Sequence, residues 1–265
     1  MQNNYAAAFH DLLNGALNFS MWIRLALSDI KGRYRRTVLG PIWSTVSMGI
    51  VILAMSLVMT RLFKSDIKQF IPYLTSGMLT WNFISSILTE ASLVFVNAES
   101  LIKSIRFPIS TLVFALVGRN LIIFIHNLII FIIVAIVYGL PVTVSMLLVV
   151  PALAIVCLTG VFAATLLGMA GARFRDVSPV VTAALQIIIF VTPIFWSADQ
   201  IKGKVGLILT DFNIFYHFVN IVREPLLGRS PESGSWFITT GVCIFTGTVT
   251  MILFTRFHRR IAYWL

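Results

Sequence analysis

The chain has 265 residues, 58% of them hydrophobic and 11% charged, with a mean hydropathy of +0.93; a soluble domain carries about 25% charged residues, so water is excluded as the main solvent. A helix needs roughly 20 apolar residues to cross the hydrocarbon core, so this length allows about six or seven crossings with short connections, and one membrane domain is expected to account for it. The net charge of +10 is spread in short basic clusters flanking apolar runs, without interleaved aromatics, which excludes nucleic acid as a partner and points to anionic lipid and topology.

The start, residues 1–10, lacks the basic end and short apolar core of a cleaved leader, so insertion is expected to be driven by the first span. Over residues 11–36, Leu12, Ala16, Phe19, Ile23, Leu27 and Ile30 recur at helical spacing, with Asp11, Asn14, Asn18, Arg24, Ser28 and Lys31 on the other faces. With Trp22 in its middle and Lys31, Arg33, Arg35 and Arg36 at its end, this segment is expected to lie as an amphipathic helix in the headgroup plane. The first uncharged run, 37–60, is long enough to span. A polar link holding Arg61, Lys64, Asp66 and Lys68 leads to a second run at 69–92, less apolar and rich in Ser and Thr, which predicts contact with protein or water rather than lipid alone. After the charged loop 97–108, a long apolar stretch is divided by the turn signal Gly139, Leu140, Pro141 into spans at 110–138 and 144–172. The cluster Arg173, Phe174, Arg175, Asp176 precedes a fifth span at 177–198.

Residues 200–232 are apolar but interrupted by Asp211, Asn213, His217 and Asn220. If they crossed, the last run at 235–256 would finish outside and carry Arg256, His258, Arg259 and Arg260 with it, against the preference of Lys and Arg for cytoplasmic flanks. Two short re-entrant or interfacial helices on the outer side are expected instead, since such backbone is tolerated where it is buried in protein or lines a cavity. The predicted fold is all-α: one membrane domain over 1–265, multi-pass, with about six transmembrane helices and both termini cytoplasmic. Charge counting agrees, with 12 Lys and Arg against 4 acids on the inner side and 7 against 5 on the outer, Glu90 and Arg119 being left in the membrane.

Catalytic motifs are missing. The Gly203, Lys204 pair is followed by Val205 and lacks the glycine that a P-loop needs six residues before the lysine, and there is no H-E-x-x-H or G-x-S-x-G pattern, nor an aspartate cluster for Mg²⁺. No metal-ligand spacing surrounds Cys157 or Cys243, which read as packing residues. Glu90 and Arg119 fall at similar depth on either side of loop 97–108 and can pair; a structural ion pair is one reading, a proton relay through Glu90 and His126 the other. In the loop, Glu99, Lys103 and Arg106 alternate with Leu101, Ile102, Ile105 and Phe107 at helical spacing, which suits either a docking knob for another protein or a solvated turn. Trp81, Phe83, Phe195 and Trp196 fall near the outer mouth, where they would form an interfacial belt or stack on sugar rings in a pore.

The run from Asp29 through Lys31, Arg33, Tyr34, Arg35, Arg36, Leu39, Gly40 and Pro41 to Trp43 resembles the junction of interfacial helix and first span in the membrane subunits of type-2 ABC exporters for surface polysaccharides. Arg173-Phe174-Arg175-Asp176 looks like that family's cytoplasmic link before the fifth span, and Thr192-Pro193-Ile194-Phe195-Trp196 like its outer end; Asn213 is followed by Ile214 where such permeases commonly carry Asn-Pro. The likeness covers almost the whole chain and is closest in look to the O-antigen group, with capsule and teichoic acid exporters beside it. It implies a homodimeric permease of the bacterial inner membrane bound to two P-loop ATPase subunits that hold ATP and Mg²⁺, with no cofactor on this chain. It further implies a polyprenyl-pyrophosphate-linked glycan as cargo, loop 97–108 (Glu99, Lys103, Arg106) as the main coupling element, Arg173, Arg175 and Asp176 as further ATPase contacts, and a basic flank of Arg33, Arg35 and Arg36 that attracts the anionic headgroup. Two rival functions are a proton-coupled secondary transporter using Glu90 and His126, and a membrane-embedded transferase acting on polyprenyl carriers.

Overall fold

The structure, a computed structural model, describes residues 2–33, 35, 42–63, 66–196 and 204–265, and among them all regular structure is helical. Two helices, α1 (Gln2–Leu17) and α2 (Phe19–Arg33), stand where a single helix over 11–36 was expected, and helical structure begins nine residues earlier, at Gln2. The break falls at Asn18, a residue that competes with the helical backbone and favours caps. Its carbonyl starts the next helix by accepting from Met21 N and Trp22 N at 3.0 and 3.2 Å, and the Trp22 indole donates to the Ala16 carbonyl that the break frees.

α3 (Ile42–Phe63) is followed by α4 (Ile67–Ala91), the six-residue α5 (Glu99–Ser104) and α6 (Ser110–Tyr138). α6 ends on Gly139 at φ 65°, a left-handed cap that a Cβ would strain, as the Gly-Leu-Pro signal predicts. A 3-10 turn at Val144–Leu148 leads into α7 (Val149–Arg173), then α8 (Val177–Val191), α9 (Lys204–Asp211), α10 (Ile214–Leu226) and α11 (Ser233–Phe257), which continues through a 3-10 turn into α12 (Ile261–Trp264). Among the described residues four segments are long and apolar enough to cross a membrane: Ile42–Met59, Ser110–Tyr138, Val144–Arg173 and Ser233–Trp264.

The central helix is α4, packed against α3, α6, α7, α8 and α10. Three of its hydroxyls are turned into protein: Thr75, Ser76 and Thr80 are fully buried, and each donates to the carbonyl four residues back at 2.8 Å, so these groups are satisfied within the helix. The expected fifth span at 177–198 is shorter than predicted. α8 stops at Val191 after 15 residues, about 22 Å of helix. Thr192 precedes Pro193, whose ring drives Thr192 into extended backbone at ψ 135°. Residues 192–196 then fold back, with Trp196 Nε1 donating to Phe190 O at 3.2 Å and the Tyr73 hydroxyl donating to Pro193 O at 3.1 Å.

Of the polar residues that interrupt the region after 200, Asp211 is exposed, while Asn213, His217 and Asn220 are bonded within the protein. Asn213 caps α10, its side chain accepting from Phe215 N and Tyr216 N, and Ile214 occupies the first helical position, where a proline would be tolerated equally. His217 bonds Ser235 Oγ at 3.0 Å and the Asp211 carbonyl at 3.1 Å, while Asn220 donates to the same hydroxyl of α11 at 3.3 Å. With 8 and 13 residues, α9 and α10 are too short to cross about 30 Å of hydrocarbon.

At the opposite end, α1 supplies a cap in trans. The Asp11 carboxylate accepts from Ile109 N and Ser110 N at 3.0 Å each, and Ser110 Oγ donates back to the Asp11 carbonyl at 2.7 Å. These N–H groups open α6 and have no partner within it. Replacing Asp11 with Ala is expected to lower stability by about 1–2 kcal/mol, and Asp11→Asn by less; thermal unfolding of the detergent-purified protein reads the difference.

Candidate functional site

α6 is apolar over most of its length, and the one guanidinium it carries, Arg119, is only 7% exposed. Both terminal nitrogens are bonded to carboxylates: Nη1 to Asp29 Oδ2 of α2 at 2.6 Å, and Nη2 to Glu90 Oε2 of α4. Glu90 also receives Arg33 Nη2 on its other oxygen at 2.5 Å and Asn120 Nδ2 at 3.1 Å. Two acids and two bases from three helices thus close a neutral network, in which Arg33 and Asp29 lie one turn apart on α2. A cavity of about 350 Å³ adjoins it, lined by Asp29, Arg33, Glu90 and Arg119 together with Asn97 and Ser100 at the start of loop 97–108.

The structure therefore brings Glu90 and Arg119 together and adds Asp29 of α2. Arg33, expected at a lipid headgroup, is bonded to protein; Arg35 is exposed, and Arg36 lies outside the described residues. His126 sits two turns farther along α6, in an apolar groove of about 560 Å³ lined by Leu27, Ile30, Ser44 and Ile129. Glu90 is meanwhile committed to two arginines and an asparagine, an arrangement suited to holding helices together rather than handing on a proton.

Loop 97–108 holds α5, which has no fully buried residue and carries an exposed Glu99–Lys103 pair at 2.6 Å. Leu101 and Ile102 pack on the core beneath it, and Arg106 is exposed just past its end. α12 lies against both α5 and the end of α7. There the Arg173 guanidinium stands 5.1 Å from the Phe174 ring and 5.6 Å from the Trp264 ring, so the second loop is tied to the C-terminal helix, with Arg175 and Asp176 exposed beside it. α5, loop 173–176, α12 and the charge network all sit at the same end of the molecule.

The four aromatics separate. Phe83 is 3% exposed and packs on Phe124 of α6 with ring centres 5.1 Å apart, which leaves it no open face. Trp81, on the other side of α4, meets Phe215 of α10 edge-on at 5.6 Å. Phe195 packs on Phe190, and Trp196 is held by its indole bond; both remain partly open.

Comparison with known proteins adds a family. The profile described as ABC-2 type transporter matches residues 22–227. Among curated proteins the chain is similar to an O-antigen export system permease protein RfbA of Myxococcus xanthus, 26% identical over 224 residues that cover 80% of this chain and 86% of that one. Another protein of the same name, from Klebsiella pneumoniae, is 22% identical over 193 residues, 72% of this chain and 74% of its own.

Proposed function

Because the chain belongs to the ABC-2 type transporter family, whose members are multi-pass membrane subunits without catalytic chemistry of their own, we propose that it forms half of the pore of an ATP-driven polysaccharide exporter. The cargo in this reading is a polyprenyl-pyrophosphate-linked glycan of the O-antigen type, carried across a bacterial inner membrane. Two P-loop ATPase subunits hold ATP and Mg²⁺ and supply the work. The names of the similar permeases support the cargo class.

The observation that carries the reading is the joint at the α5 end. An exposed six-residue helix with a charged rim stands directly between α4 and α6, and those two helices are locked to each other and to α2 by Glu90, Arg119, Asp29 and Arg33. A push on α5 by a docked ATPase would therefore move α2, α4 and α6 as one body. Charged residues around half-buried apolar anchors suit such docking, and the exposed Arg173 loop lies beside it. ATP binding draws the ATPases together, the motion passes through residues 97–108, and the pore admits lipid and glycan.

The same end supports a topology. α1 touches the start of α6 through Asp11, and α12 touches α5, which favours an even number of crossings. In this reading the four apolar segments, α4 and the 15-residue α8, which at about 22 Å covers only part of the hydrocarbon, make six. With the α5 end cytoplasmic, both termini are inside, and α9 and α10 become the outer re-entrant pair. A second copy completes the pore: α3 and α8 present apolar faces, Ile50, Leu53 and Leu57 on one and Val180, Ile187 and Phe190 on the other, that are exposed in the single chain and suit lipid or a partner subunit.

Purification from native membranes tests the proposal. A P-loop ATPase is expected to copurify in equal amount, and proteoliposomes of the pair are expected to move lipid-linked glycan only with ATP. Export driven by a pH gradient without the ATPase would establish the proton-coupled rival, and product formation by the purified chain alone would establish a transferase.

A further inference from the structure

Among the described residues two arginines are buried, and they are treated differently. Arg119 has a carboxylate on each terminal nitrogen. Arg223 of α10, at the opposite end, is 1% exposed and has none: among the described residues nothing accepts a hydrogen bond from its Nε or Nη2. Burying an unpaired charge is strongly unfavourable, and a guanidinium does not escape the cost by losing its proton.

The surroundings are nevertheless shaped for it. Its central carbon lies 3.9 Å from the centre of the Tyr73 ring, so the guanidinium rests on an aromatic face. The Tyr73 hydroxyl is anchored to the Pro193 and Trp196 carbonyls, which holds that platform in place. One turn along α4, a Cβ on Gly77 would stand 2.2 Å from Nη2, so the glycine leaves the slot through which the group passes. Farther along the same seam between α4 and α10 lie Trp81 and Phe215. Tyr73, Phe215 and Tyr216 are half-exposed and form the open rim. A fixed fork of donors on an aromatic floor, with more rings beside it, has the chemistry of a site for an anionic sugar or a sugar phosphate.

We propose that Arg223, with Tyr73 and Gly77, forms an oxyanion site for the exported substrate in the seam between α4 and α10. The oxyanion is a phosphate or a carboxylate, belonging either to the lipid link or to an acidic unit of the glycan. The inference rests on the transport reading above.

The test uses the permease purified with its ATPase and three probes at matched ionic strength: inorganic pyrophosphate, a glucuronate oligosaccharide and a neutral oligosaccharide of equal length. A saturable rise in Tm is expected with at least one anionic probe and none with the neutral one. A response to pyrophosphate places the oxyanion on the lipid link, and a response to glucuronate places it on the glycan. Arg223→Met is expected to abolish the rise. Arg223→Lys, which keeps the charge without the fork, and Gly77→Ala, which closes the slot, are each expected to weaken the apparent affinity at least tenfold, and they serve if the methionine variant does not fold. No rise with either anion in the unmodified protein, or an undiminished rise in the variants, overturns the proposal. So does loss of the dimer in Arg223→Met or Arg223→Lys on size exclusion, because it would give the missing acceptor to the second copy. Failure here leaves the transport reading standing, since ATPase copurification decides that separately.

Discussion

Arg119→Glu is expected to leave no assembled permease to purify. The substitution places a third carboxylate beside Asp29 and Glu90, with only Arg33 to answer them, at a position 7% exposed. Removing one partner of a buried pair costs about 3–5 kcal/mol, and reversal adds repulsion to that, against a total stability of about 5–15 kcal/mol. Arg119→Met, which only removes the charge, is expected to survive with stability lowered by about 3–5 kcal/mol. The informative variant is the exchange Glu90→Arg with Arg119→Glu. If the two residues formed an isolated pair, the exchange would restore it. In the network it sets the new arginine against Arg33 and the new glutamate against Asp29, so the double variant is expected to be no better than the single one. Adding Asp29→Arg and Arg33→Glu inverts all four charges and is expected to recover much of the loss. Thermal unfolding followed by size exclusion in detergent measures each step, and full recovery by the two-residue exchange would show that Asp29 and Arg33 contribute nothing.

How much of this could be read from the residues depends on the range over which each acts. The Gly139 turn and the Ser and Thr run of α4 are local signals, and the structure uses them as expected: a left-handed cap in one case, hydroxyls bonded back into their own helix in the other. Pro193 is equally local, and the end of α8 at Val191 was legible from the rule that a residue before proline leaves the helix; the long apolar run masked it. Asn18 was a similar signal inside an otherwise helical pattern. The contacts that build the candidate joint act across the chain instead. Asp11 reaches residues 98 and 99 positions away, and Arg33 reaches Glu90 across 57. Charge bias accounts for a basic cluster such as Lys31 to Arg36 without saying which member meets a carboxylate, so Arg33 and Arg35 read alike although only one of them is paired with Glu90. Arg223 reads as an ordinary charge on an outer amphipathic segment, and only the packing of α10 on α4 shows it enclosed.

Lys103→Pro is expected to reduce ATP-driven export at least about 100-fold while the protein still folds and inserts, and this is the second large effect. Lys103 is the fifth residue of the six-residue α5, so a proline there removes the bond from its N–H to the Glu99 carbonyl and pushes its ring against that carbonyl. The cost of about 3 kcal/mol corresponds to a factor of more than 100 in the population of the helical form that an ATPase would grip. It falls on a helix with no fully buried residue, whereas the core beneath is held by α4, α6 and the Arg119 network, none of which uses α5. The ATPase should therefore remain active and the pore intact, with hydrolysis no longer joined to movement. Arg106→Glu, one residue past the end of the helix cap and exposed, is expected to act through the rim of the same contact. Charge reversal at a rim changes association rate and salt dependence more than fold, so its defect should be about tenfold, larger at low salt and smaller at high salt. Hydrolysis and export measured together in proteoliposomes separate uncoupling from loss of protein. Tight coupling in both variants would move the ATPase contact away from residues 97–108, and the Arg173 loop with α12 would be the next surface at that end of the molecule to carry it.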